Sequence, residues 1–310
     1  MENIQDIYPL SPMQEGMLFH TIYSDHENDY KEQFSCRLSG KLDLDAFKNS
    51  WQEVLNRHEI LRSSFIWEDV DEPLQIVNKK VELPFQSEDI SALDVSEKDK
   101  FIKEKLIQNL KTKFILTNAP LMSILLLKLN DEEHYLIWNY HHILFDGWGL
   151  PILMQEILSI YSSFVKNKPL DLKPTSSYKN YIAWLKNQDE ERTKEFWQNR
   201  LQGLKEPTYL KLPLNTKPQN GYNRKGILLE NSVYQNLISA VKNESLTINT
   251  IFQSVWALVL THYLDKNDVV FGATFSGRNA DVPGINQMIG LFINTLVIRA
   301  KFDFNKRVID

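Results

Sequence analysis

Cysteine is almost missing: Cys36 stands alone in 310 residues. That excludes an internal disulfide framework and suits a reducing compartment, so a cytoplasmic protein is expected. No spaced Cys/His cluster occurs, so no metal site is expected. No G-x-S-x-G turn occurs, so a serine nucleophile of the hydrolase kind is not signalled. The net charge is −5; without a basic excess, neither nucleic acid nor an anionic membrane is expected as the main partner. No apolar run reaches the roughly 20 residues of a membrane span. The opening Met1-Glu-Asn-Ile-Gln-Asp6 is acidic and polar, unlike a secretory signal. Low-complexity tracts and short repeats are absent as well. What remains is 43% hydrophobic and 24% charged, ordinary for a soluble globular protein and long enough for two modest domains or lobes.

The most distinctive stretch is Tyr140-His141-His142-Ile143-Leu144-Phe145-Asp146-Gly147-Trp148. The aromatic and aliphatic run from Tyr135 to Tyr140 suits a buried strand. Asp146-Gly147 is a turn signal. From there Leu150, Leu153, Met154, Ile157, Leu158, Tyr161 and Phe164 fall at helical spacing. The histidines therefore sit where a strand ends and a helix begins, beside the free N–H groups of the helix start. An imidazole there can act as a general base near neutral pH, its ordinary pKa being about 6.5. A purely structural role for a His pair beside a turn fits the pattern equally well. A shared metal does not, because adjacent strand residues point to opposite faces.

In chain order, Ser11-Pro12 starts a helix, with Ser11 as N-cap. Phe34–Leu38 reads as a strand. Asp43 caps a helix with Leu44, Phe47, Trp51, Val54 and Leu55 on one face. Arg62 falls at the junction to a strand over Ser63–Trp67, and a surface arginine is the usual fate of the type. Leu74–Lys79 is a further strand and Lys98–Leu110 an amphipathic helix. Met122–Leu129 and His134–His141 read as a hairpin. The long helix after Trp148 ends near Lys166, and residues 167–177 read as a linker between lobes. A helical region runs from Tyr178 through Trp197, its aromatics expected in the core. Pro207–Tyr222 is loop-like and Ile227–Leu229 a strand. Thr247 or Asn249 caps a helix with Phe252, Val255, Trp256, Val259 and Tyr263 inward. Val269–Phe275 and Leu291–Ile298 are strands around an irregular loop, Ser276–Gly284. The second part reuses the helix and strand vocabulary of the first, as a distant internal duplication would, without visible repetition.

Taken together, these segments resemble the condensation domains of nonribosomal peptide synthetases. Leu10-Ser-Pro-Met-Gln-Glu-Gly-Met-Leu18 is similar to the family's opening motif, and Arg57-His-Glu-Ile-Leu-Arg62-Ser-Ser-Phe65 to its second. His141-His142-Ile-Leu-Phe-Asp146-Gly147-Trp148 is similar to the active-site signature, which related acyltransferases share. Tyr178-Lys-Asn-Tyr-Ile-Ala-Trp184 resembles the fourth motif and Ile289-Gly-Leu-Phe-Ile-Asn294-Thr295-Leu-Val-Ile-Arg299 the fifth. Five motifs in order are far more specific than one. Gly149 stands where many relatives carry Ser. The family's last two motifs are missing, so an unfinished second lobe is expected.

The resemblance implies an α/β fold, an α+β sandwich of two chloramphenicol-acetyltransferase-like lobes in a V around a tunnel. Residues 1–170 would form the N-terminal lobe with the motif, and residues 171–310 the linker and a partial C-terminal lobe. It implies peptide-bond formation between a donor thioester and an aminoacyl acceptor, delivered on 4′-phosphopantetheine arms by upstream and downstream peptidyl carrier proteins. An adenylation domain of the same synthetase is a further expected partner, and no cofactor is bound by the domain itself. His142 would be catalytic, as base or as positioner of the amine. His141, Asp146, Gly147 and Arg62 would be structural, with Asp146 paired to Arg62 and Gly147 allowing a tight turn. N–H groups near Gly147 and Trp148 are candidates to polarise the oxyanion. Trp148, Asn294 and Ser276 are candidates for the substrate tunnel. An epimerization domain carries a similar motif, but the opening Ser-Pro-Met-Gln-Glu-Gly and the Gly-Leu-Phe-Ile-Asn-Thr segment favour condensation. A heterocyclization domain is disfavoured because it lacks the histidines. A non-catalytic fragment that only docks carrier proteins is the reading of a different class.

Overall fold

Strand Ile4–Pro9 (β1) leads into helix Pro12–Tyr23 (α1). A reciprocal cap starts that helix: Gln14 N–H donates to Ser11 Oγ at 3.3 Å, and Ser11 N–H donates to Gln14 Oε1 at 3.0 Å. In this computed structural model, residues 3–23, 30–204, 206–210 and 225–305 are described. Lys31–Ser39 (β2) follows, then Leu44–Arg57 (α2), capped as expected by Asp43, whose carboxylate accepts from Ala46 N–H. A 3-10 turn, Glu59–Arg62, passes the chain to Ser63–Ile66 (β3) and Leu74–Asn78 (β4). Phe85–Asp89 (β5), Val95–Lys111 (α3), Met122–Asn130 (β6), Glu133–His141 (β7) and Gly149–Lys166 (α4) come next. Then come Lys179–Lys186 (α5), Glu190–Leu201 (α6), Asn231–Asn243 (α7), Ile248–Leu264 (α8), Asp268–Phe275 (β8) and Asn294–Lys301 (β9).

Two compact units emerge. One joins Met1–Gln188 to Ser276–Asn294; the other joins Asp189–Phe275 to Thr295–Asp310. The two units part at 188, and the chain returns to the first for residues 276–294.

The first unit holds two sheets among the described residues, ordered β2-β7-β6-β5 and β1-β4-β3. All pairings are antiparallel except β5 with β6. The larger sheet is covered on both faces, which is why β6 and β7 read as nearly unbroken apolar runs. Leu136, Trp138 and Tyr140 of β7 join the core built with α2 and α4, while Ile137, Leu125, Leu127 and Leu129 pack with Ile102 of α3. The rings of Trp51 and Trp138 meet edge to face at 4.9 Å. Each such fully buried large side chain contributes about 1.5–3 kcal/mol over an exposed one. Arg57 Nε and His58 Nε2 both reach Glu156 Oε2, at 3.1 and 2.9 Å, tying the end of α2 to α4.

The second unit is smaller inside. Ala257, Leu260 and Val269 form its buried centre, with Phe271, Ala300 and Phe302 packed against them. Strands β8 and β9 pair, and the fork of Arg299 grips Asp268 at 2.9 and 2.6 Å.

Several expectations are corrected here. Strands β1 and β5 are additions to those expected. The helical region after Tyr178 breaks at Asn187, and Asp189 caps a new helix; Tyr178 and Tyr181 are buried, but Phe196 is exposed. Ile227–Leu229 is not a strand, and Ile227 and Leu228 are 94% and 97% exposed. Thr247 caps α8, but Phe252, Val255, Trp256 and Tyr263 face outward, and Ala257, Leu260 and Thr261 are its buried residues. Strand β9 starts at Asn294, leaving Leu291 and Phe292 buried in irregular chain. Of the loop expected over Pro207–Tyr222, residues 211–222 lie outside the described residues.

Candidate active site

The site begins where β7 runs out of ladder. His141 N–H donates to Leu121 O at 2.9 Å, and His142 N–H donates to Tyr30 O at 2.7 Å. Leu144 N–H then turns back to His141 O at 3.1 Å. The His141 ring is buried, and its Nδ1 accepts the Ile143 N–H at 3.1 Å. That fixes the Nε2–H tautomer. Burial, helped by the neighbouring His142, pushes the His141 pKa down to about 4. His141 is therefore a neutral structural acceptor whose basic nitrogen is already used. His142 is half-buried, and its Nδ1 has no hydrogen-bond partner among the described residues.

Asp146 is buried and is not the partner of His142. Its Oδ2 accepts from Phe292 N–H at 2.9 Å and Ile293 N–H at 3.3 Å, and its Oδ1 accepts from Trp148 N–H at 3.1 Å. The positive charge facing it belongs to Arg278, with Nη2 3.4 Å from Oδ1. This corrects the expected pairing with Arg62. Arg62 is buried elsewhere, donating through Nη1 to Gln5 Oε1 at 3.0 Å and to the carbonyls of Asn78 and Lys79. The physical expectation survives with a different residue: a buried carboxylate takes an arginine and backbone donors. Arg278 escapes a sequence reading because it lies in irregular chain with no periodicity to place it. Its Nη1 donates to Ile285 O at 2.6 Å and Met288 O at 2.9 Å, and its guanidinium lies 4.5 Å from the Phe292 ring centre.

Motifs far apart in sequence meet under this loop. Tyr178, fully buried, donates to Leu291 O at 2.7 Å and sits edge to face with Phe292 at 5.3 Å. Gly290 must be small: a Cβ there would lie 2.2 Å from the Tyr178 ring. Gly277 has φ +67° and passes so close to Phe292 O that a Cβ would be 1.9 Å away. Gly147 is different. It is exposed, has open space around it and does not adopt positive φ; it stands in the expected tight turn, Gly149 N–H donating to Asp146 O at 2.9 Å, but that turn does not require glycine. Trp148 N–H is occupied by Asp146, which removes it as an oxyanion donor; the indole itself is half-exposed. Ser276 and Asn294 end the segment that returns to the first unit, and neither hydrogen-bonds to His142 among the described residues. No cluster of three metal-ligating side chains occurs among the described residues. Two large cavities, about 890 Å³ beside His262 and Lys266 and about 700 Å³ beside Lys48 and Lys79, are not lined by His142.

A clamped strand-end histidine is compatible with several acyltransferases; comparison with known proteins decides the family. The model described as Condensation domain matches residues 4–309. This chain belongs to the condensation-domain family. Bacitracin synthase 3 of Bacillus licheniformis is 38% identical over 310 residues, covering 99% of this chain and 5% of that protein. Gramicidin S synthase 2 of Brevibacillus brevis is 34% identical over 301 residues, covering 96% and 7%. This condensation domain therefore spans only a small part of those relatives. Among solved structures, the first condensation domain of the calcium-dependent antibiotic synthetase superposes with TM-score 0.77 at 16% identity, over 99% of this chain and 72% of that one. The condensation domain from the Monacolin K polyketide synthase MokA gives 0.77 at 16%, over 96% and 68%. The mixed α/β, chloramphenicol-acetyltransferase-like fold expected from the motifs is the observed one. Condensation domains of peptide synthetases are amide-forming acyltransferases.

Proposed function

We propose that this condensation domain joins a carrier-bound aminoacyl or peptidyl thioester to a carrier-bound aminoacyl acceptor, and that His142 serves the acceptor amine. The observation that carries this reading is the His142 ring itself. It is half-buried, its enclosed Nδ1 lacks a partner among the described residues, and it sits on a loop held by the buried Asp146. The amine nitrogen attacks the thioester carbonyl, the C–N bond forms and the C–S bond breaks. The proton leaving the amine passes to His142, and the departing thiolate is protonated. Bringing amine and activated carbonyl together out of water supplies up to roughly 7–11 kcal/mol of the barrier in ideal cases. A carboxylate behind the histidine, as in a catalytic triad, has no support, since the Asp146 oxygens are taken by other donors.

In this reading His141, Asp146 and Arg62 are structural, Gly147 belongs to the same loop, and Trp148, Ser276 and Asn294 face substrate. Residues 1–170 form the lobe with the motif, and residues 171–310 the linker and partial second lobe, apart from 171–188 and 276–294, which pack with the first unit. Upstream and downstream peptidyl carrier proteins bring the reactants on 4′-phosphopantetheine, and an adenylation domain belongs to the same synthetase. The domain binds no cofactor of its own. No helix among the described residues is long and apolar enough to cross a membrane, consistent with work in the cytoplasm. The test is a single-turnover reaction with two loaded carrier proteins. Dipeptidyl product that disappears in His142→Ala supports the reading. Inverted stereochemistry would indicate epimerization, and carrier binding without product would indicate docking only; either overturns it.

A further inference from the structure

We infer that Gln14, in the first turn of α1, is a positioning residue for His142. This rests on the reading of His142 above and extends it to a residue about 130 positions away in the chain. The observation is a pair of clamps on Ile143, the next residue after His142. Its N–H donates to His141 Nδ1 at 3.1 Å, and its carbonyl accepts from Gln14 Nε2 at 3.1 Å. Together with the bond from His142 N–H to Tyr30 O, the peptide groups before and after His142 are all held. The direction in which the His142 side chain leaves the backbone is set by those groups.

The orientation of the Gln14 amide is forced. Its Oε1 accepts the Ser11 backbone N–H at 3.0 Å, which only an oxygen can do. Its Nε2 must then donate, and it does so to two acceptors, Ile143 O and Gln75 Oε1, the latter at 2.9 Å. Gln75 in turn donates through Nε2 to Tyr8 Oη at 2.6 Å. Gln14 and Gln75 are both fully buried. Every polar atom of the Gln14 side chain is thus used, in a site where an unpaired donor would cost about 1–3 kcal/mol. A chain of this kind has one arrangement, not several. It ties the loop carrying His142 to the reciprocal cap of α1 and to strand β4, both rigid elements. An apolar side chain at position 14 would fill the space but release the Ile143 carbonyl.

The test compares Gln14→Leu and Gln14→Glu with Gln52→Leu. Glu is isosteric but, ionised, offers no donor to Ile143 O. Gln52 is the control: its amide also clamps backbone, to Val81 O and Leu83 N–H, both at 2.9 Å, and none of its bonds reaches the loop. Ring resonances of 13C,15N-labelled His142 are recorded in each variant, with the melting temperature and, in the two-carrier assay, kcat and KM. Both Gln14 variants are expected to shift and broaden the His142 signals and to lower kcat by about tenfold to 100-fold, a typical loss for a misplaced group. KM for the loaded acceptor is expected to stay within about twofold. Gln52→Leu is expected to lower the melting temperature while leaving kcat and the His142 signals unchanged. Should both Gln14 variants fail to fold, the wild-type chain still decides: the Gln14 side-chain amide protons must be among the slowest of the glutamine side chains to exchange with solvent. Fast exchange, unchanged His142 signals in a folded Gln14 variant, or equal effects from Gln52→Leu would overturn the inference. Because the ring signals need no turnover, loss of the functional reading shows separately, as wild-type protein that makes no dipeptide.

Discussion

Helix α2 in the first unit and helix α8 in the second carry similar apolar stripes, yet they end differently. On α2 the stripe is sealed from Phe47 onward, only Leu44 in the first turn being exposed: Trp51 is 1% exposed and packs on Trp138, itself at 0%. On α8 Phe252, Val255 and Trp256 remain 56%, 51% and 46% exposed. Periodicity tells which face of a helix is apolar, not whether anything covers it. The four-stranded sheet offers α2 a broad surface, whereas β8 and β9 among the described residues offer α8 only enough to bury Ala257, Leu260 and Thr261. The site follows the same contrast. His142 and Asp146 belong to the well-packed unit, together with the 276–294 segment that returns to it.

The largest effect expected in the first unit is catalytic. His142→Ala should lower the condensation rate by about 10²–10⁴ with little change in melting temperature, because the ring Nδ1 supports nothing. A large loss of stability instead would make His142 part of the packing. Next comes Asp146→Ala, which strands the Arg278 charge and three backbone donors and should cost roughly 3–5 kcal/mol. In urea titrations, Asp146→Ala combined with Arg278→Ala should lose less than the sum of the two. Combined with Arg62→Ala it should be additive, since the two residues share no bond. Coupling to Arg62 in place of Arg278 would restore the pairing expected from sequence.

A smaller effect concerns pH. The folded His141 has its pKa at about 4, below the ordinary value of about 6.5. The unfolded chain therefore takes up a proton between those values and the folded chain does not. This part of the stability is complete above about pH 6.5 and is lost as the pH falls towards 4, by roughly 3 kcal/mol in all. Denaturant midpoints measured across that window should fall, and the slope should flatten in His141→Gln. The smallest effect should come from the second unit: Trp256→Ser should change stability by less than about 0.5 kcal/mol, and α8 amides should exchange faster than those of β7. A loss of several kcal/mol would show that the α8 face is covered in solution, and the contrast between the units would collapse.

The legible parts of this molecule are those in which a local pattern meets its own surroundings. Strand β7 announces itself by aromatic and aliphatic density, α2 by its Asp43 cap and stripe, and α4 by the apolar spacing after Trp148. The five motifs make the fold and the family readable, whereas the arginine facing the buried Asp146 is Arg278 and not the expected Arg62. Strand β5 escapes because Phe-Gln-Ser-Glu-Asp has a single apolar residue and gains its identity from pairing with β6. Strand β1 ends in proline and carries little alternation. Ile227–Leu229 has the composition of a strand, but no strand among the described residues pairs with it. Choosing Arg278 over Arg62 requires knowing that the chain returns to the first unit at Ser276, a long-range fact that no window of sequence contains. Gln14 lies inside a motif that the sequence does show, but its task depends on Ile143 and Gln75, both remote in sequence.

The Asp146 bonds to Phe292 and Ile293 span 146 and 147 positions in the chain. Loops of that length close late, after local hairpins and helices have formed, because their closure entropy comes due before their contacts do. During synthesis the loop is therefore fastened in two stages: the bonds of His142 and Ile143 to Tyr30, His141 and Gln14 lie within the first 188 residues, but Asp146 waits for the 290s to leave the ribosome. A nascent chain arrested before Phe292 is exposed should hold the sheet and the His142 end of the loop and still lack a set Asp146 end.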